Sequence, residues 1–173
     1  MEQKTDEPIL PRLLASNALR ANLSKHMTLN QMADTKASMI MTASSLVLTI
    51  TITQMQQLDL MTVLLLLVTG LLAIIFSIFA IIPPMHASGE VNLFYFRSFA
   101  EIEEEEFIAL GKEIIADRDR LYEAYLHEIY YLGKHRLTRK YGLIRNGLWT
   151  LLVGLCSAGI SAIALHLGKG LLH

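Results

Sequence analysis

The chain has 173 residues, of which 53% are hydrophobic and 18% charged, and its formal net charge at pH 7 is −1. It is therefore more apolar and less charged than an ordinary soluble domain, and its near-zero charge argues against nucleic acid as a partner. The single cysteine, Cys156, excludes an intrachain disulfide. We expect no cleavable signal sequence, because the first thirty residues are polar and charged.

The amino-terminal half predicts a helix that enters a membrane and a second helix that returns. Residues 1–11 contain acids and two prolines and are interpreted as a flexible tail. No Gly or Pro interrupts residues 12–36, which favours a cytoplasmic helix leading into the membrane. Residues 37–82 hold two apolar runs around the short turn Gln56–Asp59. Because about 20 helical residues span a bilayer, these runs predict a transmembrane helical hairpin, which Pro83–Pro84 would end.

The carboxyl-terminal half predicts a cytoplasmic helical region and a third membrane helix. Residues 83–147 carry most of the charge, and a helical stripe from Tyr122 to Leu148 runs through Leu126 toward the membrane. Residues 148–167 form a third apolar stretch without charge, and 168–173 form an external tail. The predicted fold is all-α: a three-helix transmembrane bundle with a small cytoplasmic helical head.

The distribution of basic residues predicts the orientation in the membrane. Five Lys or Arg residues precede the first apolar run and nine lie between Pro83 and Gly147, whereas the turn has none and only Lys169 follows the third run. Positively charged segments stay in the cytoplasm. We expect a multi-pass protein of the bacterial inner membrane, with its amino terminus cytoplasmic and its carboxyl terminus periplasmic.

The sequence lacks the motifs of the common catalytic sites. It has no phosphate-binding glycine loop, no G-x-S-x-G elbow and no H-E-x-x-H zinc motif, since Tyr131 stands where the second histidine of such a motif would follow His127–Glu128. We therefore expect a protein that is not an enzyme and has no cofactor or metal.

The stretch ADTKAS places Asp34 and Lys36 at the mouth of the first apolar run. Two residues apart on a helix, they point in different directions and do not pair. Lys36 can extend its long stem to the headgroups, but Asp34 is short and needs a donor if it faces the bundle. Arg145 and Lys140, at a similar depth before the third run, are the candidate donors. Exposure of Asp34 to interfacial water is the alternative.

Hydroxyl groups recur along the first apolar run at steps of three or four residues. They are Ser38, Thr42, Ser45, Thr49 and Thr53, which we call the hydroxyl face. Small residues form similar stripes in the second run (Thr69, Ala73, Ser77, Ala80) and the third (Gly154, Ala158, Ala162). Such residues let membrane helices pack closely. The hydroxyl face has two interpretations: helix packing, or a polar path that forms only when several copies assemble.

The segment before the third run holds the densest group of basic residues, here called the basic cluster: Lys134, His135, Arg136, Arg139, Lys140 and Arg145. Attraction to anionic lipid accounts for such a group. An anionic small ligand would need the same residue types, because Arg and Lys form charge-assisted hydrogen bonds with phosphate oxygens. The sequence leaves both interpretations open.

Three segments, in order, resemble a known bacterial family. They are ADTKAS, NLFYFRSFAEIEEEEF and LYEAYLHEIYYLGKHRLTRKYGLIRNGLW, and the resemblance covers about residues 30–160. The family is that of the membrane effectors of Pycsar antiphage defence. The resemblance implies that a neighbouring pyrimidine cyclase makes cyclic CMP or cyclic UMP during infection. This nucleotide would activate the effector, which impairs the inner membrane and kills the cell before the phage matures. We expect a homo-oligomer, because three membrane helices of one chain cannot enclose much of a channel.

The predicted head lacks the β-roll of the usual cyclic-nucleotide-binding domain, so the ligand site must be of another kind. We expect Lys134, Arg136, Arg139 and Lys140 to contact the phosphate, and Phe94 and Phe96 to stack on the pyrimidine. Asp34, Lys36 and Arg145 are the residues expected to couple the head to the membrane. Two alternative functions are a membrane-anchored scaffold that docks a cytoplasmic partner, and a ligand-free holin-like pore.

Overall fold

The computed structural model describes residues 9–82 and 102–170, with side chains for 13–82 and 102–164. Every regular element in these ranges is helical: α1 (Ile9–Thr53), α2 (Leu60–Ile81), α3 (Glu104–Ala116), α4 (Arg118–Tyr131), a π-helical segment (Leu132–Leu137) and α5 (Thr138–Gly170). The chain divides into two compact units. We call Gln31–Pro83 with Thr138–His173 the membrane unit, and Met1–Asn30 with Pro84–Leu137 the head unit.

The chain has helices suited to a bilayer. Three helical stretches of the chain are long and apolar enough to cross a membrane: Leu13–Thr53, Leu60–Ile81 and Arg118–Ala164. The backbone N–H and C=O groups of a helix bond to each other within the helix, so they need no partner from the hydrocarbon, which offers none. The predicted all-α fold with three membrane-spanning helices is confirmed.

The turn between α1 and α2 is closed by a helix cap. Asp59 stands at the amino-terminal cap of α2, where its carboxylate accepts hydrogen bonds from the Thr62 amide at 3.0 Å and the Thr62 hydroxyl at 2.5 Å. The first amides of a helix lack partners within the helix, and a short acidic side chain supplies one. The Thr62 hydroxyl is also hydrogen-bonded to Ser161 Oγ at 3.0 Å, which joins the start of α2 to α5.

Helices α2 and α5 approach each other closely along a seam of small residues. A Cβ atom on Gly147 would lie 3.4 Å from the Ala73 carbonyl oxygen, and one on Gly154 would overlap the side chain of Thr69. With Ser161, these α5 positions recur every seven residues, the repeat of side chains that stay on one face of closely packed helices. The seam confirms the small-residue stripe predicted for α2. On α5 it runs through Gly147, Gly154 and Ser161, whereas Ala162 is exposed.

Helix α1 packs against this pair through another small face. Ala33, Ala37 and Ile40 are buried together with Ala73 of α2 and Ile144 of α5. Ala33 and Ala37, four residues apart, form what we call the alanine face of α1; their small side chains let α1 approach its neighbours closely and favour one rotational setting. That setting decides which side chains of α1 face outward.

The head unit brings the first part of α1 beside α4 and the start of the π-helical segment. Ser16 Oγ lies 3.3 Å from Tyr122 Oη, and a Cβ on Gly133 would lie 3.4 Å from His26 Nε2. Both pairs advance in the same direction along the chain, so the two helical segments run parallel. Contacts at two separate levels hold them side by side.

A π-helical segment lies between α4 and α5, and its turns are wider than those of an α-helix. Leu132 and Leu137, five residues apart, are both buried, which matches the wider π turn and not the α repeat. The predicted stripe from Tyr122 to Leu148 is wrong at Leu126, before the π segment, and at Leu148, beyond it, because these residues are 56% and 44% exposed. Beyond the π segment the buried face of α5 continues through Ile144, Gly147 and Leu151.

The seam between α2 and α5 predicts the effect of one added methyl group. Gly154→Ala is expected to lower the free energy of unfolding by about 1–3 kcal/mol, because the new Cβ meets Thr69, whose β-branched side chain has few other rotamers. The measurement is denaturant-induced unfolding in detergent micelles. Gly159→Ala on the same helix is the matched control, because nothing lies within 4 Å of its added Cβ. Equal effects of the two substitutions would contradict the close packing.

The cap of α2 predicts a pH dependence of stability. The hydrogen bonds from Thr62, that of the hydroxyl foremost, hold the pKa of Asp59 below its ordinary value of 3.8. Since the folded state favours the charged form, this contribution is present above pH 3.8 and is lost as the pH falls through the lowered pKa. Wild type should be more stable than Asp59→Asn at neutral pH, with a difference that shrinks in acid. A difference in unfolding free energy that stays constant down to about pH 2 would oppose this assignment.

Candidate functional site

An ion pair joins α1 to α5 in the membrane unit. Lys140 Nζ donates to Asp34 Oδ1 at 2.6 Å, with side-chain exposures of 13% for Lys140 and 40% for Asp34. Arg145, the other donor predicted for Asp34, is exposed, and the structure records no ion pair for it among the described residues. Asp34 and Lys140 each lie within four residues of the point where the chain passes from one unit to the other.

Lys36, on the same turn of α1, makes a second contact with α5. Its ammonium nitrogen lies 5.2 Å from the centre of the Tyr141 ring, within the range of a cation–π interaction. Asp34 and Lys36 thus reach adjacent residues of α5, Lys140 and Tyr141, in different ways. Two charges near the start of the first apolar run are therefore both held by α5.

The hydroxyl face lies on the side of α1 that is turned away from α2 and α5. All five of its residues, Ser38, Thr42, Ser45, Thr49 and Thr53, are exposed. Three of the hydroxyls donate to carbonyls of their own helix: Ser45 to Met41 at 2.9 Å, Thr49 to Ser45 at 2.9 Å and Thr53 to Ile50 at 2.9 Å. Each hydroxyl hydrogen is thereby used in a hydrogen bond to the backbone, and the hydroxyl oxygen can still accept another hydrogen bond. The face does not pack α1 against α2 or α5.

Two other hydroxyl residues of α1 lie on its buried side and were missed by the sequence reasoning. Ser44 and Thr51 are 0% and 1% exposed. Thr51 donates to the Val47 carbonyl at 2.8 Å, whereas Ser44 Oγ has no hydrogen-bond partner in the described part of the chain. The signal was available in the sequence, because Ala33, Ala37, Ile40 and Ser44 repeat at helical steps.

The residues of the basic cluster belong to both units, and some of them already contact other side chains of the protein. Lys134 donates to Tyr130 Oη at 2.5 Å and lies 5.0 Å from the centre of that ring. Arg136 is half-buried, Arg139 is exposed and Lys140 binds Asp34. His135 lies against the rings of Tyr130 and Tyr131, at 6.2 Å and 5.5 Å between centres.

None of these placements tests the predicted ligand contacts, so Lys134, Arg136, Arg139 and Lys140 stay predictions. Phe94 and Phe96, predicted to stack on the ligand, lie outside the described residues. Among the described residues, no group of three or more His, Cys, Asp or Glu side chains is placed to hold a metal ion.

A groove in the head unit was not foreseen. It opens between α1 and α4, has a volume of about 490 Å³, and is lined by six residues of α1 and by Tyr125 of α4. Arg20 is the charged member of this lining. The sequence signal was weak, because Asn17, Arg20 and Ser24 share a face of α1 without forming a known motif.

Three apolar helices, a charged pair at their edge and an outward hydroxyl face define a polytopic helical membrane protein. Comparison with known families is more specific. The model of PycTM, described as the Pycsar effector protein domain, matches residues 18–168. The chain belongs to this family and is thus a membrane-embedded Pycsar effector of antiphage defence. No curated protein and no solved structure gave a significant match.

The ion pair predicts an energetic coupling between Asp34 and Lys140. Asp34→Ala and Lys140→Ala should each destabilise the membrane unit, and the double variant should lose about 0.5–1 kcal/mol less than the sum of the two. This coupling energy is modest because the Asp34 side chain is partly exposed to solvent. Unfolding free energies in detergent micelles measure the cycle. The matched cycle with Arg145→Ala should be additive. Coupling of Asp34 to Arg145 and not to Lys140 would reverse the assignment.

Proposed function

We propose that this effector impairs the bacterial inner membrane when a cyclic pyrimidine mononucleotide, cyclic CMP or cyclic UMP, activates it. The infected cell would then die before the phage matures. The observation that carries the proposal is the match of the Pycsar effector domain to residues 18–168, which include all but the first five residues of the three stretches long and apolar enough to cross a membrane. A pyrimidine cyclase would act on the protein only through its product. The proposal requires no catalytic step, no cofactor and no metal.

The membrane damage is proposed to come from assembly of several copies. Three helices of one chain cannot enclose much of a channel, and their buried contacts are already filled by the seam and by the alanine face of α1. The hydroxyl face remains outside. In a homo-oligomer whose copies turn this face inward, five layers of hydroxyl oxygens would border a polar path. Their acceptor capacity would replace part of the hydration of a passing ion.

The orientation follows the charge distribution. We propose that the amino terminus and the head unit lie in the cytoplasm and the carboxyl terminus in the periplasm, because positive residues flank the apolar helices on one side. A cytoplasmic head is accessible to a nucleotide made in the cytoplasm. This orientation also places Asp59 in the periplasmic turn.

Activation requires a difference in affinity. A ligand shifts a conformational equilibrium only if it binds one state more tightly than the other. We propose that the contacts of Asp34 and Lys36 with α5 couple ligand binding to the conformation of the membrane unit. Both residues lie near the point in the chain where one unit ends and the other begins. Arg145, which is exposed on α5, is proposed to contribute through its charge.

The proposed path predicts the effect of removing one hydroxyl. In cells that also express the cyclase, Thr49→Val should lower the depolarisation of the inner membrane by about tenfold, if each hydroxyl stabilises the hydrated path by about 1.4 kcal/mol. A potential-sensitive dye reports the change during phage infection. Thr150→Val is the matched control, because Thr150 also donates to a carbonyl of its own helix but lies on α5. Equal depolarisation by both variants would exclude the hydroxyl face as the path.

Two further outcomes concern the function itself. Depolarisation on expression without any cyclase would indicate a ligand-free pore. Stable binding of a cytoplasmic protein without any change in membrane potential would indicate a scaffold. Depolarisation that depends on an active cyclase would support the proposal, and the wild-type chain with an inactivated cyclase is the control.

A further inference from the structure

The groove of the head unit lies between two contacts that α1 makes with other helical residues of this unit. On one side is the pair Ser16 and Tyr122, with 3.3 Å between their oxygens, and on the other is His26 beside Gly133. The groove residues of α1 extend from Asn17 to Met27, mostly between these two contacts. The spacing of the helices is therefore set at both ends of the groove. A site built on two packed helices keeps its geometry better than one built on a loop.

The lining suits a small, singly charged anion with an aromatic group. Arg20 provides a guanidinium, and no carboxylate is present among the described residues that line the groove. Asn17 and Ser24 add neutral hydrogen-bonding groups on the same face of α1. Tyr125 brings an aromatic ring from α4, and Leu23 and Met27 add apolar surface.

The groove is shallow and widely open to solvent, and its volume is that of a small-molecule site. Its volume of about 490 Å³ lies within the roughly 300–1,000 Å³ of ligand pockets in proteins. Ala21 lies among the lining residues, and its small side chain leaves room beside Arg20. A single nucleotide fits such a volume, whereas a second phosphate group would find no second cation in the described lining.

We propose that this groove binds the cyclic pyrimidine mononucleotide, with Arg20 on the phosphodiester and Tyr125 stacked on the base. Asn17 and Ser24 then form hydrogen bonds with the polar edge of the pyrimidine. The proposal rests on the proposed function for its ligand. A cyclic phosphodiester carries one negative charge, which one guanidinium balances through charge-assisted hydrogen bonds. Stacking on a tyrosine ring is a common way to hold a base outside a duplex.

The basic cluster is less suited to this task. Lys140 is committed to Asp34, and Lys134 to the hydroxyl and ring of Tyr130. A nucleotide there would have to replace these contacts. Arg20, by contrast, is exposed at the groove, and the structure records no ion pair for it among the described residues.

The test is calorimetric binding of cyclic CMP and cyclic UMP to the full chain in detergent. Arg20→Ala should weaken binding by about ten- to hundredfold, the loss expected when a phosphate loses its charge-assisted partner. Lys25→Ala is the matched control, because it removes a positive charge from the same helix outside the groove. Tyr125→Leu should weaken binding, whereas Tyr125→Phe, which keeps the ring, should retain most of it. Thermal unfolding of each variant confirms that it is folded.

The outcomes separate this inference from the function on which it rests. If wild type binds a cyclic pyrimidine nucleotide and Arg20→Ala binds it equally well, the groove is not the site, although the proposed function stands. Loss of binding in Arg139→Ala but not in Arg20→Ala would assign the ligand to the basic cluster. If folded wild-type protein binds neither nucleotide, the proposed ligand is wrong and the groove assignment fails with it.

Discussion

The close approach of α2 and α5 is the constraint on which the membrane unit depends. Lipid tails are as apolar as leucine, so hydrophobicity alone does not hold membrane helices together, and tight packing of small residues must do so. Gly147, Gly154 and Ser161 provide this packing against α2. Helix α1 then lies on the pair through its alanine face. Its rotational setting turns the hydroxyl face outward and brings Asp34 to Lys140.

Periodicity in the sequence predicted the three apolar helices and the small face of α2, because both are properties of single segments. It failed where two segments had to be compared or where two neighbouring residues of one helix fit the stripe equally well. Lys140 and Arg145 have similar depth, yet Lys140 lies about 40° from the buried Ile144 around the helix and Arg145 about 100°. Only the packed face of α5 distinguishes them. Leu148 was misplaced because the buried face of α5 steps from Ile144 to Gly147 and Leu151, and steps of three and four residues fit a helical stripe equally well.

The candidate sites differ in how far the sequence predicts them. The hydroxyl face was visible as a stripe, but a stripe does not say whether its side meets protein, lipid or another copy. The groove was invisible because Arg20 and Tyr125 are more than a hundred residues apart and neither belongs to a motif. Phosphate-binding clusters are easily found by density of charge. A single arginine in a shaped groove is found only when two helices are seen together.

The seam also has a consequence for how the protein is made. Thr62 and Ser161, which meet at one end of the seam, are 99 residues apart in the chain. At about 5–20 residues per second, a ribosome needs roughly 5–20 seconds to add that length. During this time α2 is already synthesised while its partner does not yet exist. Its polar and small residues must then face lipid or the insertion machinery, so the nascent hairpin passes through a stage in which it can pair with another protein.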